Sequence, residues 1–443
     1  MSKTTAISTE LLENIFDLTS YGFEASVRDY LPDSTYRNYC LWALSTENPH
    51  QKDYLQVLGF KQFAQLTLTL FDGLVKDSNQ EKLAKFSAPM NVYLTYENIS
   101  DNLAIGLANQ ASDDTTYTLR RDVLLAFNET ACKRLLGQSK SAEQLLAPVQ
   151  HKSQCISGFW QSHNPVKHKA ISQTYLNLHP HISDEDIEYG VWPCLVANIE
   201  TCVAVAESVA SYSVGSLVSQ GLINRYRAVS ALLEEPEMTL SRRVKVGTDS
   251  ILVIPTLAYY ISVLAEIVQP IDNFQNLVKK SQLVEALNKA ALLVRLTNDL
   301  GMLVTQTKDE RISLIDKLQV IYRKAGGSIK TINELLLQAA QELSSVLARI
   351  YKDTQLREFN VCLGDIELVN ALSVDEALVI FEQRLEYFSQ LYAQTRAQMM
   401  TLLEDMSDLF GDNRPSLLIS RFVIFHEQLY AYPYNQPTGE YCI

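Results

Sequence analysis

Asn298 and Asp299 stand side by side in a stretch whose apolar residues Leu292, Leu293, Leu296, Leu300 and Leu303 recur at helical spacing. An amide and a carboxylate set into an apolar surround are costly unless something satisfies them. At about 100° per residue, Arg295, Asn298, Met302, Thr305, Gln306 and Asp309 project within about 100° of arc. The amide and carboxylate oxygens of such a face suit a hard cation, and an arginine beside them suits an anion. The same pattern also fits an ordinary capped helix with scattered polar residues.

A second group is cationic. Arg242, Arg243 and Lys245 lie just ahead of Gly247, and a basic pair beside a glycine in an acidic chain suits a diphosphate or a carboxylate. A plain surface charge cluster reads the same way. Glu97 and Asp101, four apart in Glu97-Asn98-Ile99-Ser100-Asp101, share one helix face. They are either a solvated edge or metal ligands. Other combinations carry less. Pro49 between Glu47 and His50 forbids the helix interior that a di-iron-type pair needs. His151, His163, His168, His179 and His181 lack ligand periodicity. Ser183-Asp184-Glu185-Asp186 reads as a capping box.

The elements that must position these groups are helices. In 443 residues there are 16 Gly and 13 Pro, few breakers among long 3.6-residue periodicities, which predicts an all-α chain. Residues 8–76 read as short amphipathic helices. Single helices are expected over 89–109, 192–213, 332–350, 374–408 and 415–430, with Gly326-Gly327 ending the one before Thr331. Residues 251–268 read as a buried helix pair, since Pro255 and Glu266 make a poor membrane span. No linker or repeat interrupts the chain, so one helical domain over 1–443 is expected, with an N-terminal extension over 1–88 and the main bundle over 89–430. Thirty-eight basic against 51 acidic residues give −13, which argues against nucleic acid and anionic membranes as partners. Seven scattered cysteines without C-x-x-C spacing predict reduced thiols in a soluble, intracellular protein.

Taken together, Arg295, Asn298-Asp299, the helix and Gly326-Gly327 turn that follow, and Arg242-Arg243 with Gly247 resemble a class I terpene synthase. In that family a helix carries N-D-x-x-S-x-x-x-E, usually with an arginine three residues before the Asn, and an R-R-x-x-x-G segment precedes it. The resemblance covers residues 239–350. It departs at Met302, where the family has a Ser or Thr ligand, and at Gln306, where it has a Glu. No D-D-x-x-D occurs; Glu97 to Asp101 is the nearest candidate, and the family's C-terminal Arg-Tyr pair is not evident.

The resemblance implies a helical bundle around a central cavity, with Mg²⁺ as cofactor and a prenyl diphosphate, dimethylallyl or geranyl, as substrate. Its degenerate metal motifs are most similar to the kainoid-pathway N-prenyltransferases, which implies transfer to an amino-acid amine such as that of glutamate. On that reading Asn298, the Met302 position, Gln306, Asp309 or Glu310, and Glu97 with Asp101 surround the metal, and either fewer than the family's three ions bind or cationic side chains replace one. Arg242, Arg243, Lys245, Arg295 and Lys308 hold diphosphate or acceptor carboxylates, and Asn298, Arg295 and Arg242 act in catalysis. A terpene cyclase with divergent motifs and an inactive helical scaffold are the alternatives.

Overall fold

The computed structural model describes residues 3–104, 107, 115–153, 165–188, 191–279 and 282–431. It is 79% helix and, among the described residues, has no strand. The chain divides into two compact units. One comprises Met1–Ala104, Ala111–Ser230 and Ala258–Phe274; the other comprises Ile105–Gln110, Ala231–Leu257 and Gln275–Ile443.

The first unit is built on α1 (Lys3–Tyr30), α2 (Gln80–Ala104), α3 (Val191–Ser208) and the part of α4 (Gly215–Glu234) up to Ser230; α1 packs against both α2 and α3. Phe23 of α1 stacks on Tyr96 of α2 at 5.1 Å and meets Phe60 edge-on at 5.3 Å. Helix α2 begins nine residues before Pro89, which therefore lies inside it, and the expected 88/89 boundary falls within this helix. An interior proline costs about 3 kcal/mol. Buried Leu83 and Ala84 ahead of it and Met90, Tyr93 and Tyr96 after it hold the helix together across that position.

Residues 251–268 form a helix, Val253–Ser262, that runs on as a π turn, Val263–Val268. Pro255 is tolerated because it lies in the first turn, where backbone N–H groups have no intrahelical partner. Glu266 in the π turn is satisfied by the Ser213 N–H at 2.9 Å and hydroxyl at 2.7 Å and by the Ser262 hydroxyl at 3.2 Å. By length and composition Asp184–Ser208 could cross a membrane, and so could Leu240–Ser250 with Val253–Val268 taken as one bent span. The first is 88% buried in its apolar window, the burial of a core helix. The described cysteines Cys40, Cys132, Cys194, Cys202 and Cys362 are free thiols.

The second unit contains α5 (Leu240–Ser250), α6 (Leu283–Leu300), α7 (Lys308–Lys324), α8 (Ala348–Leu356), α9 (Val374–Phe410) and α10 (Arg414–Ala431). Helix α6 is the hub: α5, α8, α9 and α10 all pack on it. Thr331 and Glu334 form a reciprocal capping box, as their spacing predicts. The helix they open ends at Ala339, so the single helix expected over 332–350 is broken. Ser344 and Ser345 lie in that break, and serines compete with the helix for their own backbone. The break makes Arg349 the second residue of a separate helix, α8.

Candidate functional site

Helix α6 stops at Leu300, and this decides the geometry of the site. Gly301, its C-cap, has φ +56°, a left-handed conformation that glycine adopts without penalty. Residues 301–305 then form a 3-10 turn and Gln306 is extended. Met302 and Gln306 are therefore not on α6, and the face expected to run from Arg295 to Asp309 does not exist beyond Asn298. Met302 is exposed. Asp309 and Glu310 occupy the first turn of α7, where acids complement the helix dipole. Glu310 closes a capping box: its Oε2 accepts from Thr307 N at 2.7 Å and Thr307 Oγ1 at 2.9 Å, which lowers its pKa. Lys308 is the exposed first residue of that helix. Met302, Gln306, Asp309 and Glu310 thus do not share the helical face expected for them, because a cap and a 3-10 turn replace a continuous helix.

Asn298 and Asp299 are held by two other parts of the same unit, α8 and the segment at 360–361. Arg349 of α8 donates from Nε to the Asn298 carbonyl and from Nη2 to Asn298 Oδ1, both at 2.6 Å. It satisfies one of the carbonyls that a helix end leaves open. The fully buried Asp299 accepts from Arg295 and from Asn298 Nδ2 (3.1 Å) on Oδ1, and from the Val361 N–H (2.8 Å) on Oδ2. Asn360 completes the arrangement, with Nδ2 on the Asp299 carbonyl at 2.8 Å and on Asp353 Oδ2 at 2.7 Å. Burial pulls the Arg295 guanidinium down to about 10, with Asp353 acting in the opposite sense, so it stays charged at neutral pH.

The basic triplet divides by exposure. Arg242 is exposed and forks onto Glu235 at 2.9 and 3.1 Å; Lys245 is exposed and pairs with Asp249 at 2.6 Å. Both have ordinary surface partners. Arg243 alone turns inward. It is 9% exposed, donates to the Pro236 carbonyl at 3.2 Å, and forms no ion pair among the described residues. Burial lowers its pKa, opposed by Asp365. Its guanidinium lies over the Phe359 ring at 5.6 Å, and that of Arg295 lies over the same ring at 5.5 Å. Gly247 admits this ring: a Cβ there would stand 2.9 Å from Phe359.

In the first unit, Glu97 is 1% exposed. Its Oε1 accepts from the Tyr226 hydroxyl at 2.6 Å and the Tyr93 hydroxyl at 3.0 Å, and its Oε2 faces Arg225 Nη2 at 2.6 Å. Asp101, largely exposed, meets the same Arg225 nitrogen at 3.0 Å. Burial alone would depress Arg225, but Glu97 and Asp101 raise it. Glu97, expected as a metal ligand, is in this structure the internal counter-charge of Arg225.

Arg349, Phe359, Asn360 and Tyr430 are the site residues that sequence reasoning missed. Arg349 lies within an expected continuous helix, Phe359 and Asn360 in a stretch with no motif, and Tyr430 at the end of α10, where its ring sits 4.7 Å under Arg349. The nearest signal is Gly301, two residues after the Asn-Asp pair, which could have marked the early helix end. Beside Gly301 opens a cleft of about 260 Å³ lined by Thr297, Met302, Thr305, Tyr392, Arg396 and Glu427, among others. In it Glu427 Oε1 accepts from Tyr392 and, at 3.2 Å, from Arg396 Nε.

These residues do not fit Mg²⁺, which demands near-octahedral oxygen coordination at about 2.0–2.1 Å. Asn298 Oδ1 and Asp299 Oδ1 already face guanidinium groups, and Asp299 Oδ2 a backbone N–H. Among the described residues no three His, Cys, Asp or Glu side chains come together as a metal would need. No protein-family model, curated protein or solved structure matches the chain.

Proposed function

We propose that the chain transfers a short prenyl group, dimethylallyl or geranyl, from its diphosphate to the amine of a small amino acid such as glutamate. Arg243 carries this reading. A buried guanidinium is expensive unless an anion completes it; Arg243 forms no direct ion pair among the described residues, and Asp365 offsets its burial only through space, in a chain of net charge −13. It belongs to the R-R-x-x-x-G segment, and the neighbouring guanidinium of Arg295 shares its aromatic platform. Two planar forks are well matched to phosphate oxygens.

In the proposed reaction the allylic C–O bond breaks with its electron pair leaving on the diphosphate, whose charge Arg243 and Arg295 stabilise. The acceptor nitrogen supplies the pair for the new C–N bond and then loses a proton to solvent. No step is assigned to Mg²⁺.

Incubation with labelled dimethylallyl or geranyl diphosphate, with and without glutamate and with Mg²⁺ or a chelator, tests the reading. Prenylated amino acid, lost at least 100-fold in Arg243→Lys and kept within threefold in Arg242→Lys, supports it. Hydrocarbon formed without an acceptor points instead to a cyclase. A second reading is favoured by the internal satisfaction of Asn298 and Asp299: a helical scaffold without catalysis. It predicts no product and no change in melting temperature with inorganic diphosphate.

A further inference from the structure

We infer that Arg349 is the resident cation of Asn298, beside the Arg295–Asp299 pair, so that the place where the resemblance puts a divalent metal is built to exclude one. Three independent features converge on it. The guanidinium takes the two Asn298 oxygens at 2.6 Å each, the backbone carbonyl and the amide Oδ1. Gly301 is shaped around the side chain: a Cβ at that position would stand 2.9 Å from Arg349 Cγ and 3.1 Å from the Tyr430 carbonyl. The Tyr430 ring lies 4.7 Å from the guanidinium carbon, an attraction between a cation and an aromatic face.

Arg349 is 3% exposed and Arg295 8%, while the one carboxylate between Arg295 and Asn298, that of Asp299, is fully buried. A divalent ion at Asn298 Oδ1 would displace charge-assisted hydrogen bonds and strand Arg349 in the interior. It would also sit against like charges in a medium that screens them poorly. A guanidinium does for these oxygens what a metal would do, with the geometry set by α8 and with no dependence on ion concentration. The inference does not rest on prenyl transfer, since it concerns which cation the Asn298 oxygens hold.

Mn²⁺, a paramagnetic substitute for Mg²⁺, is the probe. Free Mn²⁺ is followed by electron paramagnetic resonance during titration of the wild-type chain, Asn298→Ala and Arg349→Asp. Wild type and Asn298→Ala are expected to take up Mn²⁺ equally, within twofold. Arg349→Asp exchanges the resident cation for a ligand beside Asn298 and Asp299, and at least a tenfold gain in Mn²⁺ affinity supports the inference. Wild-type binding that Asn298→Ala weakens tenfold or more overturns it. That first pair decides the question even if Arg349→Asp does not fold. Prenyl transfer, with or without Mg²⁺, leaves this comparison unaltered, so failure of the transfer reading is distinguishable from failure here.

Discussion

The two units solve the same problem in opposite ways. Each buries a carboxylate from a helix that the sequence marks as a possible metal site, Glu97 on α2 and Asp299 on α6, and each answers it with arginine. In the first unit one guanidinium, Arg225, serves two carboxylates, and two tyrosine hydroxyls close the remaining valences of Glu97. In the second, three largely buried guanidiniums, Arg243, Arg295 and Arg349, gather around the Asn298–Asp299 end of α6 and the Phe359 ring. A network with its charges answered is a structural joint. The second network gathers more guanidiniums than the first, and this separates the two regions although their acidic motifs look alike in sequence.

The largest effect expected is in the first unit. Arg225→Met leaves Glu97 buried among tyrosines without its cation, and breaking a buried pair from one side costs about 3–5 kcal/mol. Chemical denaturation of the purified variant measures it. A loss below about 1 kcal/mol, the scale of a surface pair, would make Glu97 solvated in solution and erase the contrast between the units.

Gly301→Ala is expected to cost less, about 1–3 kcal/mol, from the strained positive φ and the displaced Arg349 side chain. If α6 could instead continue as a helix through residue 301, the substitution would be neutral or stabilising. Melting temperature separates the two outcomes.

The smallest effect concerns pH. Burial lowers the His426 imidazole to about 4, and its Nδ1 lies 2.8 Å from the Phe422 carbonyl. The folded pKa is thus below the ordinary value of about 6.5, so the unfolded chain binds this proton first. Stability from the neutral ring is fully present above about 6.5 and declines as pH falls toward about 4. The melting temperature of wild type is expected to drop over that window more than that of His426→Phe. Parallel curves would show that His426 does not titrate between the two states.

Sequence periodicity and local caps fixed a good deal of this protein. The all-helical class follows from the scarcity of glycine and proline and the long 3.6-residue repeats. The Thr331–Glu334 and Ser183–Asp186 boxes, and the close of α7 before Gly326-Gly327, appear where the spacing predicts them. Such features depend on residues three or four apart, whose contact the helix itself guarantees. The basic triplet was legible too, though not the separation of buried Arg243 from exposed Arg242 and Lys245, because facing inward or outward depends on what packs on α5. What only the tertiary structure decided is the fate of the Asn298–Asp299 pair. Its partners Arg349, Asn360 and Val361 come from 51 to 62 residues away. The same holds for Glu97, whose arginine lies on α4. A carboxylate on a helix face carries no sign of whether a metal, water or a guanidinium will meet it. That is settled by which long side chain the packing of other helices delivers to the same place, and no local pattern encodes it.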